Sequence, residues 1–230
     1  MRRIGYVIFW IGILLNTVFY GGVFWAGFEA SLFDSALVAD ARLATLRCPL
    51  LLTTDEGGVV SAVFTNPSER EVRRIVYARV TERYITLMRE ERVPLTLAPG
   101  DAQRVEWQVA GRDAAWKRFV LVRVYAQRSS PLPSRTNTCG IMVFPVSGLR
   151  GAHIVVAWVI AGLVCLGVGS KLWLVMLSEH NRWRYVTLAG FAVLGVVLGL
   201  FRFWAVAGFV LVLSILLCVI ILAMDVVEKD

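Results

Sequence analysis

Histidine is almost missing from this chain: the 230 residues hold two, His153 and His180. Their separation corresponds to about 40 Å along a helix, so one chain cannot gather both into one site. No histidine stands before residue 153, which removes Ser/His/Asp catalysis from the polar middle of the chain. Cysteine is scarce as well. Cys48, Cys139, Cys165 and Cys218 form no Cys-x-x-Cys pair and no Cys/His metal spacing. A phosphate loop is missing too: "GLVCLGVGSK" (162–171) lacks the Gly-Lys-Ser/Thr ending and follows no strand. The adjacent carboxylates Glu90-Glu91 and Asp55-Glu56 lie in turn-like or exposed segments, where they read as solvated charges. There is no basic block. Residues 27–151 hold 17 Lys+Arg, nearly all Arg, interleaved with 13 Asp+Glu, so nucleic acid is not an expected partner.

Charge is also absent from long stretches, and here the sequence becomes informative. It is 57% hydrophobic, and the apolar residues cluster at 4–26 and 154–224. The first run has an apolar core of about 22 residues, enough to cross a hydrocarbon layer of ~30 Å. It follows Arg2 and Arg3 and has no small-x-small cleavage site, so an uncleaved transmembrane helix is expected. Residues 154–177 form the second run. The third, 186–224, would be about 58 Å long as one helix and must break. Its only charge is Arg202, in "FRFW", and a turn there moves Arg202 and Trp204 to an interface. The expected layout is helices at 1–27, 151–178, 185–201 and 203–225. An amphipathic juxtamembrane helix or linker is expected at 28–47, with Ser31 and Asp34 in capping-box spacing. A polar loop spans 179–184, and a tail 226–230.

Orientation follows the basic residues near the helix ends. With the N-terminus inside, Arg2, Arg3, Lys171, Arg182, Arg184 and Lys229 lie inside, and Arg150 and Arg202 outside. Both termini are then cytoplasmic, and residues 28–150 face outward from a bacterial-type inner membrane. Trp25, Trp158 and Trp204 fall at the outer interface and Trp173 and Trp183 at the inner one. An outward domain lies in an oxidising compartment, where Cys48 and Cys139 would close it by a disulfide. The alternative is two separate buried thiols.

From Cys48 onward the pattern has period two. "CPLLLTT", "GVVSAVFT", "EVRRIVYARVTER", "YITLMRE", "RVPLTL", "AQRVEWQV", "RFVLVRVYAQ" and "CGIMVFPV" read as short strands separated by turn residues. Val105, Trp107 and Val109 share one face, which makes Trp107 a core aromatic. Pro99-Gly100 supplies a turn. The series strand–"TNPS"–strand, then "L-x-PG" and "V-x-W-x-V", resembles the immunoglobulin-like sandwiches of many bacterial surface and periplasmic proteins, over roughly residues 48–146. The likeness implies a fold and no activity. The inter-sheet Cys pair around a Trp, typical of immunoglobulin domains, is not matched. The expected fold class is therefore membrane α + β: four transmembrane helices with an inserted extracytoplasmic immunoglobulin-like β-sandwich.

Ion and proton paths need ionisable groups inside a bundle. The helices offer only Lys171, near an inner end, and the neutral Asn16, which argues against a transporter or pump acting alone. His153 or His180 could hold a haem or chlorin. No paired ligand spacing supports this, so no cofactor is expected, and interfacial histidines are the plainer reading. Small residues favour helix docking: Gly5, Gly12 and Asn16 on one stripe of the first helix, and Gly190, Gly195 and Gly199 on the third. The expected role is a non-enzymatic accessory, scaffolding or assembly subunit of a larger membrane complex, with lipid and other membrane subunits as partners. The alternatives are a pigment- or haem-associated electron-transfer subunit and an extracytoplasmic ligand sensor. Classical sensing needs a cytoplasmic output domain, and the inner segments are short.

Overall fold

A computed structural model describes residues 2–35, 38–174 and 179–227. The chain forms two compact units, Met1–Trp25 with Val155–Asp230, and Ala26–Ile154.

Four helices are present, α1 (Arg2–Leu32), α2 (Gly151–Leu174), α3 (Glu179–Leu200) and α4 (Trp204–Val227); they make up the first unit except for the end of α1 from Ala26 and the start of α2 to Ile154, which belong to the second. Each is long and apolar enough to cross a membrane. The break between α3 and α4 falls at Phe201–Phe203. It needs neither glycine nor proline, because Arg202 itself adopts φ 60°, the left-handed conformation that usually ends a helix at glycine. The Phe203 N–H then donates to the Leu198 carbonyl at 2.9 Å and closes the turn.

Two expected boundaries move. No separate amphipathic helix starts at Ser31: α1 runs on to Leu32, and the Ser31 hydroxyl donates back to the Phe28 carbonyl at 2.6 Å. The helix ends because Asp34 turns left-handed (φ 51°), with its carboxylate taken by Arg79. Between residues 38 and 50 the only regular element is β1 (Ala41–Arg42). Likewise the polar segment 179–184, expected as a loop, is helical, because α3 begins at Glu179. Polarity there marks where apolar surroundings stop, whereas a helix stops only where its hydrogen bonding is broken; "EHNRWR" contains no glycine or proline.

The second unit is mostly β. The further strands are β2 (Leu51–Thr53), β3 (Gly57–Thr65), β4 (Val72–Glu82), β5 (Tyr84–Leu97), β6 (Ala102–Ala110), β7 (Phe119–Ala126) and β8 (Arg135–Phe144). One sheet has the order β1-β8-β7-β4-β5, with β2 also beside β8; β3 and β6 pair separately. Both sheets supply one core. Val60, Phe64 and Trp107 come from the small sheet, and Val76, Val122 and Ile141 from the large one. The alternation read at 105–109 is real: Val105, Trp107 and Val109 are buried and their neighbours Glu106 and Gln108 exposed. The two segments "YITLMRE" and "RVPLTL" are one strand, β5. Pro94 does not break it, because β5 is an edge strand and one missing donor is tolerated there.

Two devices tie the unit's ends. Cys48 and Cys139 form a disulfide across 91 positions. Cys139 lies within β8, and Cys48 stands just before β2. At the other end Asn66 is buried, and its side-chain amide donates to the carbonyls of Arg70, Leu97 and Ala98 at 2.7, 3.0 and 3.1 Å. Its Oδ1 accepts from the Ser68 N–H and hydroxyl. The "TNPS" turn is thereby locked to the Pro99-Gly100 turn, where Gly100 has φ 74°.

Candidate functional site

Gly5 and Gly12 of α1 are spent inside the helical unit. A Cβ on Gly5 would lie 2.7 Å from Leu172 Cβ, and one on Gly12 would lie 2.6 Å from Leu166 N. The reciprocal positions on α2 are glycines as well. A Cβ on Gly162 would press on the Asn16 amide at 2.7 Å, and one on Gly169 would collide with the Phe9 backbone. The partners therefore run antiparallel, 5 with 172, 9 with 169, 12 with 166 and 16 with 162. Such close approach maximises van der Waals contact, the main cohesive force between helices in lipid. Asn16 is buried and donates to the Gly12 carbonyl at 2.7 Å, so its amide serves its own helix. Trp158 adds a cross-helix bond, Nε1 to the Leu15 carbonyl at 2.9 Å.

The GxxxG of α3 is also occupied. A Cβ on Gly195 would lie 2.8 Å from the Tyr20 ring, and one on Gly199 would lie 3.5 Å from Tyr20 Cβ. Gly208 of α4 faces the Phe24 ring. Gly190 differs, as does Gly167, which sequence reasoning passed over: a Cβ at either meets nothing within 4 Å among the described residues. Both line an apolar groove of about 580 Å³ between α2 and α3, together with Leu163, Ser170, Ala189, Val193 and Val197. The groove thus brings together two exposed glycines that no described residue approaches within 4 Å of an added Cβ.

The tryptophans divide. Trp25 and Trp183 are exposed, and Trp158 and Trp204 are half-buried. Trp173 is buried in an aromatic cluster, with ring centroids 5.0 Å from Tyr6 and 6.1 Å from Tyr185. Lys171 is exposed and Arg202 half-buried.

In the β unit, strand register assembles a polar row across the outer face of the large sheet. Glu90 pairs with Arg79, Arg79 with Arg123, and Arg123 with Thr138. Arg79 Nη1 lies 2.5 Å from Asp34 and its Nε 2.8 Å from Glu90, while Arg123 donates to the Asp34 carbonyl. Hydrogen bonds from Arg92 and then Arg79 hold the Glu90 carboxyl below its ordinary range. Asp34 raises the Arg79 guanidinium, and burial lowers that of Arg123. Beside this row the end of α1 packs down, through Ala30 and Phe33 on Leu121. Gly140 leaves room for the Ala26 backbone, which any side chain at 140 would strike. The row therefore anchors the end of α1, and its charges are neutralised by one another.

No group of three or more His, Cys, Asp or Glu suited to a metal occurs among the described residues. His153 is exposed in the first turn of α2, and the side chain of His180 lies outside the described residues.

No family model and no curated protein matches the chain. Among solved structures it is similar to a β-glucosidase from Erythrobacter marinus, at 14% identity and TM-score 0.33, over 44% of this chain and 15% of that one. A Paenibacillus cycloisomaltooligosaccharide glucanotransferase gives 11% identity and TM-score 0.34, over 48% and 15%. The CARDB domain of the PF1109 protein from Pyrococcus furiosus gives 8% identity and TM-score 0.33, over 44% and 90%. The chain spans under a fifth of the glucosidase's length.

Proposed function

We propose that the protein is a non-enzymatic membrane subunit that docks a partner's transmembrane helix in the α2/α3 groove. Its four helices span a bacterial-type inner membrane. An immunoglobulin-like sandwich, closed by the Cys48–Cys139 disulfide, stands on the extracytoplasmic side. The observation that carries this reading is the open pair Gly167 and Gly190. Gly5, Gly12, Gly162, Gly169, Gly195 and Gly199 each pack within 4 Å of a neighbouring helix in the same unit. The open pair instead faces a groove whose lining is almost wholly apolar. A helix seated there would gain the close backbone contact that small residues permit.

The test is substitution. Because a Cβ at Gly167 or Gly190 meets no described residue within 4 Å, Gly167→Leu and Gly190→Leu should leave the protein folded and fill the groove. Purified in mild detergent from native membranes, the wild type should bring a stoichiometric membrane partner. The double variant should lose it while keeping its own thermal stability. Retention of the partner by a folded double variant would exclude the groove as the docking site.

A further inference from the structure

One end of the β unit carries features that neither its core nor the groove uses. Three non-glycine residues there hold left-handed backbone: Arg83 (φ 64°), Trp116 (φ 50°) and Lys117 (φ 59°). Such strain persists only where surrounding bonds impose it, and it is a pointer to function. The bonds are present. The Arg83 N–H donates to the Asp113 carbonyl, and the Trp116 N–H to the Arg83 carbonyl at 3.2 Å. The result is a fixed corner that turns Trp116 outward, with 55% of its surface exposed. Tyr84 and Leu87, next along β5, are exposed as well.

The same corner is wired to the start of α2. The Gly111–Asp113 turn is held by the Gly111 N–H, which donates to the Glu56 carbonyl at 3.0 Å. The Glu56 carboxylate in turn accepts from the Gly151 N–H at 2.7 Å and from the Thr53 N–H at 3.0 Å. Trp116 thus lies at the end of the unit from which the chain enters α2. Arg83, Arg112, Lys117, Arg118 and Arg150 are exposed at this end, and none is in an ion pair among the described residues. Among the described acids at this end, Asp55 and Glu82 are exposed, Glu56 and Asp113 bind backbone N–H groups, and Asp113 and Glu91 are each ion-paired with Arg89. Free positive charge therefore outweighs free negative charge.

We infer that this end, through Trp116 and the bases Arg83, Arg112, Lys117, Arg118 and Arg150, rests on the phosphate headgroups of an anionic lipid surface. The inference depends on the reading that α1–α4 span a membrane. The chemistry matches the site: tryptophan and tyrosine favour the headgroup layer, and clustered arginine and lysine are drawn to anionic lipid within about a Debye length.

Spin-label depth measurements on the full chain test it. The background carries Cys165→Ser and Cys218→Ser and keeps the disulfide. Nitroxides go at Glu82→Cys beside the corner, at Asp101→Cys at the opposite end of the unit, and at Val212→Cys on the exposed face of α4. The protein is reconstituted in vesicles of phosphatidylcholine with phosphatidylglycerol. The ratio of oxygen to nickel-chelate collisions at 82 should fall between that at 101, in water, and that at 212, in hydrocarbon. Adding Arg83→Gln, Lys117→Gln and Arg118→Gln, or omitting phosphatidylglycerol, should shift 82 towards the value at 101. A water-exposed label at 82 beside a lipid-exposed label at 212 overturns the headgroup contact alone. Insensitivity of 82 to the charge changes also overturns it. A label at 82 shielded from both relaxants marks a protein contact and overturns it too. A water-exposed label at 212 instead removes the membrane-spanning reading itself.

Discussion

Replacing Cys48 and Cys139 together by alanine should destabilise the β unit by about 4–5 kcal/mol. The bridge spans 91 positions, and the chain-entropy model gives about 4.6 kcal/mol for a loop of that size. Alanine keeps the site apolar, which matters because Cys139 is buried in the core. A whole domain is commonly stable by only about 5–15 kcal/mol, so the variant should sit near the edge of folding at 37 °C. Denaturant unfolding of the purified protein, followed by tryptophan fluorescence, measures the loss. Reductant should bring the wild type down to the variant and leave the variant where it is. A loss under about 1 kcal/mol would mean that the unfolded chain is already confined without the bridge.

Trp107→Ala should cost nearly as much, about 3–5 kcal/mol, the range for emptying a buried large aromatic site. Trp107 is 1% exposed and packs between the two sheets. Its Nε1 has no hydrogen-bond partner among the described residues. Trp107→Phe should therefore lose only part of the volume and no hydrogen bond, at about 1–2 kcal/mol. That graded response distinguishes packing from recognition: a binding tryptophan would show small stability losses and a large loss of partner for both substitutions. Equal stability for Trp107→Ala and the wild type would contradict a core role.

Period-two alternation makes Trp107 legible in the sequence, because one face of β6 is apolar and the other charged. The disulfide is legible for a similar reason: two cysteines bracket one polar segment. The helical seam is harder. Gly162 and Gly169 lie in an apolar run without a polar face, so nothing in the pattern marks the side towards α1. Gly5, Gly12 and Asn16 do stand out, yet which helix they meet depends on the antiparallel register 5 with 172. The Asp34–Arg79–Arg123 cluster is invisible in sequence because strand pairing joins positions 79 and 123 and the turn after α1 brings position 34 to both. The end of α1 is misjudged at Ser31 because a capping residue type is also compatible with a helix interior when its hydroxyl bonds back one turn. Asn66 reads only as a turn residue, since its three carbonyl partners include two from beyond residue 96.

The central claim, that the α2/α3 groove seats a partner's helix, is tested most directly by photocrosslinking in native membranes. A photoreactive amino acid at Val193, on the groove wall and exposed, should give one discrete protein adduct on illumination. The same probe at Val219, exposed on α4, should give none. The adduct at 193 should disappear when Gly190→Leu fills the groove. Adducts to lipid alone at 193, the same as at 219, would contradict the claim.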